Sequence, residues 1–155
     1  MAVRKHLRGD GAQSLLEFAL IIPMLLILVF GIIDFGMGLR AYISVSSATR
    51  EGARYAAVGN PGGTFSAGGA GECDGSTSTT AVGRVCKTLN GLTLADVSNV
   101  SVTYPTGHLA GQSVNVATTY HYHYITPVHG LVNFLSGGSM PDYLTITSAT
   151  DMRLE

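Results

Sequence analysis

Gly11-Ala12-Gln13-Ser14-Leu15-Leu16-Glu17-Phe18-Ala19-Leu20-Ile21-Ile22-Pro23 leads from a short basic leader, through one glutamate, into an apolar run that continues to Ile33. A carboxylate carried into lipid costs about 2.5–3.5 kcal/mol on insertion scales. Glu17 therefore needs either a place at the membrane interface or a partner of opposite charge. As a helix, Phe18 to Ile33 spans about 24 Å at 1.5 Å per residue. That falls a little short of the ~30 Å hydrocarbon core unless Leu15, Leu16 and Phe35 also lie within it. Glu17 and Asp34 then mark the two membrane boundaries.

Charge and composition set the frame around this segment. Charged residues make up 12% of the 155 positions, against about 25% in an average soluble protein, and beyond Leu39 the chain turns polar and rich in Gly, Ser and Thr. One membrane helix and one small outer domain fit this length; two independent cores do not. Arg4, Lys5 and Arg8 precede the apolar run, and from Asp34 to Ser47 the only base is Arg40. The positive-inside rule then puts the amino terminus in the cytoplasm and the remainder outside. A cleaved secretory signal shares the basic start, but the run is long for one and no small-x-small site follows it before Gly36. Near-neutral charge without a basic stripe argues against a nucleic-acid partner.

Glu17-Phe18-Ala19-Leu20, Pro23, Gly31-Ile32-Ile33-Asp34-Phe35-Gly36 and Arg50-Glu51-Gly52-Ala53-Arg54-Tyr55-Ala56-Ala57 resemble the TadE/TadG-like minor pseudopilins of tight-adherence (Tad) pilus systems, relatives of type IV pilins. The resemblance covers roughly residues 9 to 58, with a weaker echo in Ala149 to Glu155. It implies a bacterial cytoplasmic-membrane protein whose partners are the lipid bilayer, other pilin and pseudopilin subunits, a prepilin peptidase and the inner-membrane pilus assembly platform. It also implies cleavage of the leader. A cut between Ala12 and Gln13 makes Glu17 the fifth mature residue, the usual pilin register; a cut after Gly11 makes it the sixth and keeps the familiar glycine before the cut. We prefer Ala12-Gln13. Glu17 is then either a first-turn acid favoured by the helix dipole or, in an assembled filament, the counter-charge for a neighbouring subunit's α-amine. The second reading makes it an assembly residue.

Three segments follow: a leader over residues 1–12, a transmembrane and amphipathic helix over 13–58, and an extracytoplasmic α+β domain over 59–155. Between Ala41 and Val58, the spacing of Ala41, Val45, Ala48, Gly52 and Tyr55 predicts an apolar stripe, with Ser44, Ser47, Glu51 and Arg54 on another face. Gly59-Asn60-Pro61-Gly62-Gly63 ends the helix, and Gly59 to Ser78 reads as an irregular loop. Ser78 or Thr79 can cap a short helix that buries Ala81, Val82, Val85, Cys86 and Leu89 and ends at Asn90-Gly91. Strands are expected over Val97 to Tyr104, Ser113 to Ile125 and Tyr143 to Met152. They form a small antiparallel sheet, its first pair joined through Thr106-Gly107 and Gly111-Gln112. Val128, Leu131, Val132 and Leu135 suggest one or two helical turns between the last two strands.

Cys73 and Cys86 are the only cysteines and both fall on the outer side, where disulfides persist. A bridge between them closes a loop worth about 3 kcal/mol in the entropy model, and neither has the C-x-x-C neighbour of a zinc site. His121 and His123 alternate on one strand face against Tyr120, Tyr122 and Tyr124 on the other. They form either a solvated face over a tyrosine-lined core or, with His129 or His108, a zinc or copper site. Glu72 and Asp74 are too few acids for a calcium loop. The chain has no Gly-Lys-Ser/Thr phosphate loop, no Gly-x-Ser-x-Gly elbow and no paired acids in a glycosidase context. Asn99-Val100-Ser101 is a glycosylation sequon by formula alone. The sequence therefore points to a non-enzymatic pseudopilin-like subunit or assembly factor, with no cofactor. The contrasting reading is a single-pass protein whose outer domain binds a metal or small ligand, as a binding module or an enzyme.

Overall fold

The computed structural model describes residues 10–58, 73, 80–89, 91–138 and 140–155, with side chains from Gln13 onward. Arg4, Lys5 and Arg8, the glycine-rich segment 59–72, Asp74 and the candidate caps Ser78 and Thr79 lie outside the described residues.

One helix, α1, runs without a break from Asp10 to Val58, 49 residues with Pro23 inside it. It begins ahead of Gln13, so the candidate processing bond is not a boundary of conformation. Its two halves differ in what surrounds them. Up to Ile33 the large apolar side chains stand clear of the rest of the protein, as with Leu20 at 80% exposure. Beyond Asp34 a buried face appears: Ala41, Val45, Ala48, Thr49, Gly52, Ala53, Ala56 and Ala57. This face is two rows wide, with residues at i, i+3, i+4 and i+7 repeating along it. Tyr55, expected on the stripe, therefore sits half-buried at its margin. Thr49 joins the buried row because its hydroxyl donates to the Val45 carbonyl at 2.8 Å, leaving no polar group unsatisfied.

The three strands, β1 (Val97–Thr103), β2 (Ser113–His123) and β3 (Tyr143–Arg153), form an antiparallel sheet in the order β1-β2-β3. Val114, Val116, Thr118, Tyr120 and Tyr122 of β2 point into the core and alternate with solvent-facing residues, as a half-buried strand requires. A register irregularity between Val97 and Asn99 lets Val97 and Val100 both face inward although three residues apart. β2 ends two residues before Ile125 because the amides of Ile125 and Thr126 bond to a side chain on α1 instead of a strand.

The lengths match. Asp34 to Ala57 rises about 35 Å as a helix, and an eleven-residue antiparallel strand covers about 34 Å. β3 ascends beside α1: Tyr143 pairs with His123 at one end, and at the other the Glu155 amide donates to the Ala57 carbonyl at 3.2 Å.

Helix α2 (Ala81–Thr88) covers the end of the sheet nearest the carboxyl terminus of α1. Its cap is Thr80, whose hydroxyl accepts from the Gly83 amide at 3.0 Å. Ala81, Val82, Val85, Cys86 and Leu89 are all buried. The third helix, α3 (Val128–Ser136), ends in a left-handed Gly137 whose amide bonds to the Asn133 carbonyl at 3.0 Å, a glycine C-cap. Among the described residues the fold is α+β: one long helix, two short helices, a 3-10 turn at Leu94–Asp96 and a three-stranded sheet.

Where α1 and α2 meet, a Cβ built on Gly52 would lie 2.3 Å from Val85 Cγ2 and 3.3 Å from the Ala81 carbonyl oxygen. No side chain fits unless α2 moves. Gly52→Ala is expected to destabilise the α+β domain by about 1–3 kcal/mol, read as a lower thermal midpoint, and adding Val85→Ala should restore part of the loss. Unchanged stability in the single variant would contradict the close approach.

Candidate functional site

The features that bear on function lie along α1. Glu17 is exposed on its apolar half, and Gln13, one turn earlier, donates from Nε2 to Glu17 Oε1 at 3.2 Å. Ala12 and Gln13 are both helical. The exposed apolar side chains continue past Ile33 through Phe35, Leu39, Tyr42 and Ile43, a ridge on the part of α1 that also carries the outer domain.

Asp34 does more than mark a boundary. It is 5% exposed and accepts hydrogen bonds from the Ile125 amide at 3.0 Å and the Thr126 amide at 3.2 Å through Oδ1, and from the Thr126 hydroxyl through Oδ2. A carboxylate holding two backbone N–H groups and a hydroxyl is well compensated for its burial. The exit of β2 is thereby fixed one residue beyond the last apolar position of the run. Its position right after Ile33 was legible in the sequence; its partners, some ninety residues away, were not.

Between this clasp and β3, α1 and the sheet leave an apolar recess of about 550 Å³, bordered by Gly31, Phe35, Leu39 and Tyr42 on the helix and by Leu144 and Ile146 on the strand. Its walls carry no convergent set of catalytic groups.

Cys73 and Cys86 form a disulfide with their Cα atoms 5.2 Å apart, attaching Cys73 to the buried face of α2. On the outer surface of the helices, Glu51 accepts from Arg54 at 3.0 Å and lies 3.8 Å from Arg84 Nε, while the Arg84 guanidinium sits 5.6 Å over the Tyr55 ring. The bonds from Arg54 hold the Glu51 carboxyl below its ordinary range. The stabilisation they give is present at neutral pH and lost as acid protonates Glu51; for so exposed a group it is small.

The histidines do not converge. His121 and His123 flank Tyr143 on the outer face of the sheet, with ring centroids 4.5 and 5.7 Å away, and His123 lies 3.6 Å from Asp96. His108 rests on Tyr104 beyond the far end of β1, and His129 stacks on Tyr124. Among the described residues no three His, Cys, Asp or Glu side chains come together to hold a metal. On the inner face, burial raises the phenol pKa values of Tyr120 and Tyr122, with a further push from the nearby carboxylates Asp96 and Asp34 respectively.

The exposed apolar half of α1 is long and apolar enough to cross a membrane, and none of its most apolar window is buried within the protein. Residues 12–54 match the family of TadE-like proteins. The TadE-like segment is thus α1 itself, from the candidate processing bond through Glu17, Pro23 and Asp34 to the small-residue face. The sheet, α2 and α3 lie beyond it. No curated protein and no solved structure matches the chain.

Replacing Asp34 with alanine strands two backbone donors, and we expect a loss of about 1.5–3 kcal/mol. Hydrogen exchange should quicken at the Ile125 and Thr126 amides, with proteolysis between β2 and β3. Native protection in Asp34→Ala would show that the clasp is dispensable. For the disulfide, non-reducing peptide mapping should recover the Cys73 and Cys86 peptides as one linked species; two alkylatable thiols in native protein would contradict it.

Proposed function

We propose that this protein is a membrane-anchored, pseudopilin-like subunit or assembly factor of a Tad-type pilus or secretion apparatus. In this reading its amino terminus lies on the cytoplasmic side and its α+β domain on the outer side of the bacterial cytoplasmic membrane. The observation that carries the reading is the coincidence of the TadE-like match with a single continuous helix. One half of that helix is apolar but for one acid and leaves its most apolar window unburied, and the other carries a face of small residues committed to the protein's own core.

A helix divided in this way suits assembly. The lower half can move between lipid and neighbouring helices at little cost, since both are apolar. The upper ridge of Phe35, Leu39, Tyr42 and Ile43 extends the same kind of contact into the outer domain. Glu17 supplies direction: processing between Ala12 and Gln13 creates an α-amine four residues away, and the carboxylate of one subunit can neutralise the amine of the next. Prepilin peptidase, other pilin subunits and the inner-membrane assembly platform are the partners this role requires.

Two measurements test the reading. Amino-terminal mass spectrometry should find a mature chain beginning at Gln13 when the prepilin peptidase is present and the uncut leader when it is absent; an uncut start in both refutes processing. Glu17→Leu and Glu17→Gln should both keep membrane abundance while losing pilus formation or co-purification with pilus subunits. A buried amine left without its counter-charge costs about 3–5 kcal/mol. Wild-type assembly in both variants would reduce Glu17 to an interfacial acid.

A further inference from the structure

Outside α1, the large apolar side chains left exposed among the described residues are Leu109, Ile125, Phe134, Leu135, Tyr143 and Leu144. All but Leu109 belong to one end of the outer domain, the end where the exposed run of α1 enters it. The Asp34 clasp sets this placement. It holds Ile125 and Thr126 against the first residue after the apolar run, and α3 starts two residues later at Val128. A nine-residue helix is about 13 Å long, so all of α3 stays near the clasp, and it packs on α1 rather than farther along the sheet. Tyr143 and Leu144 begin β3 opposite His123 and Tyr122, at the same end.

The chemistry of this end differs from that of a water-facing surface. From Tyr124 to Pro141 there is no Asp, Glu, Lys or Arg. Phe134 is 85% exposed, Ile125 62% and Leu135 58%, and an uncharged patch of this kind on a soluble domain marks an interaction site. Its occupant follows from continuity. Ile32, Ile33 and Phe35, immediately below and beside the clasp, are themselves exposed apolar residues of the membrane helix, so the patch prolongs the lipid-facing surface of α1 sideways. Tyr124 and Tyr143 stand where aromatic side chains favour the headgroup level.

We propose that α3 and the adjoining start of β3 form a foot that rests in the headgroup region of the bilayer, with Phe134, Leu135 and Ile125 inserted at the acyl boundary. Insertion of this kind reaches about 5–10 Å below the headgroups. With no lysine or arginine in the segment, it depends on apolar burial and not on anionic lipid. The foot sets the tilt of the outer domain on its helix and presents the ridge of Phe35, Leu39 and Tyr42 at a fixed height to neighbouring subunits. The inference rests on α1 spanning the bilayer.

The chain has no tryptophan, so single reporters in the full-length protein are unambiguous. Phe134→Trp, Leu28→Trp and Leu109→Trp would be placed in nanodiscs of phosphatidylcholine carrying bromine either high or low on the acyl chains, with Leu135→Trp as a second reporter should Phe134→Trp fail to fold. We expect Phe134→Trp to be quenched most by the shallow bromines, Leu28→Trp most by the deep ones, and Leu109→Trp by neither. Adding anionic lipid or salt should change none of these. An unquenched Leu28→Trp would defeat the membrane span on which the foot rests. Quenching at Leu28→Trp with none at Phe134→Trp would defeat the foot alone. Quenching of Phe134→Trp that needs anionic lipid, or a blue-shifted but unquenched emission that disappears as protein is diluted in lipid, would overturn apolar insertion; the latter would give the surface to a second copy of the chain.

Discussion

A single helix has to satisfy two surroundings, and the residue where one gives way to the other is Asp34. Below it the apolar side chains of α1 stand largely exposed; above it the helix supplies one wall of the only sizeable core among the described residues. A carboxylate at that junction would be a liability on either side: in lipid for want of hydration, in the core for want of partners. Two backbone amides and a hydroxyl from the segment leaving β2 remove the liability, and in doing so they fix the height at which the sheet begins. The position of α3 and the start of β3 follow from that contact.

The upper half of α1 explains how so small a domain holds together. The fully buried part of its inward face is Ala, Val, Thr and Gly, with Met37 and Tyr55 packed at its margins. Each residue contributes little area, and the gain lies in proximity: a thin helix lets the valines of β2 and the second helix approach it closely, and dense packing recovers dispersion energy that a looser interface would forfeit. Gly52 marks the tightest point. The disulfide adds a constraint of the kind small extracellular domains rely on when the core alone is modest, tying Cys73 to a helix that is itself only eight residues long.

Under the proposed role these features belong together, since such a subunit would have to pass from a bilayer into an assembly. An outer domain locked to its helix by short-range packing, a disulfide and a clasp moves as one body with that helix, while the lower half keeps an uncommitted apolar surface. Among the described residues, His121 and His123 lie on the outer face of the sheet, His108 in the loop after β1 and His129 on α3, so the tertiary structure keeps them in three places.

Much of this was legible in the residues themselves, because it depends on local pattern. The apolar run with its lone glutamate, the three- and four-residue spacing above it and the alternation of Tyr120 and Tyr122 with His121 and His123 all express periodicities that each segment carries without reference to the others. They were enough for the long helix, the three strands and the α+β class. What they could not express is pairing across distance. Asp34 looked like a boundary because its partners are the backbone amides of Ile125 and Thr126, and any residue would have supplied those amides; the ends of β2 shifted for the same reason. Tyr55 fell to the margin because the buried face is two rows wide, a width set by the sheet that packs on it. His121 and His123 share a face by alternation alone, but whether His108 or His129 joins them depends on where the loops end, and the sheet separates them. Local spacing determined which residues turn inward; only the tertiary structure decided what they meet there, since contact is a property of two segments and the sequence states each one singly.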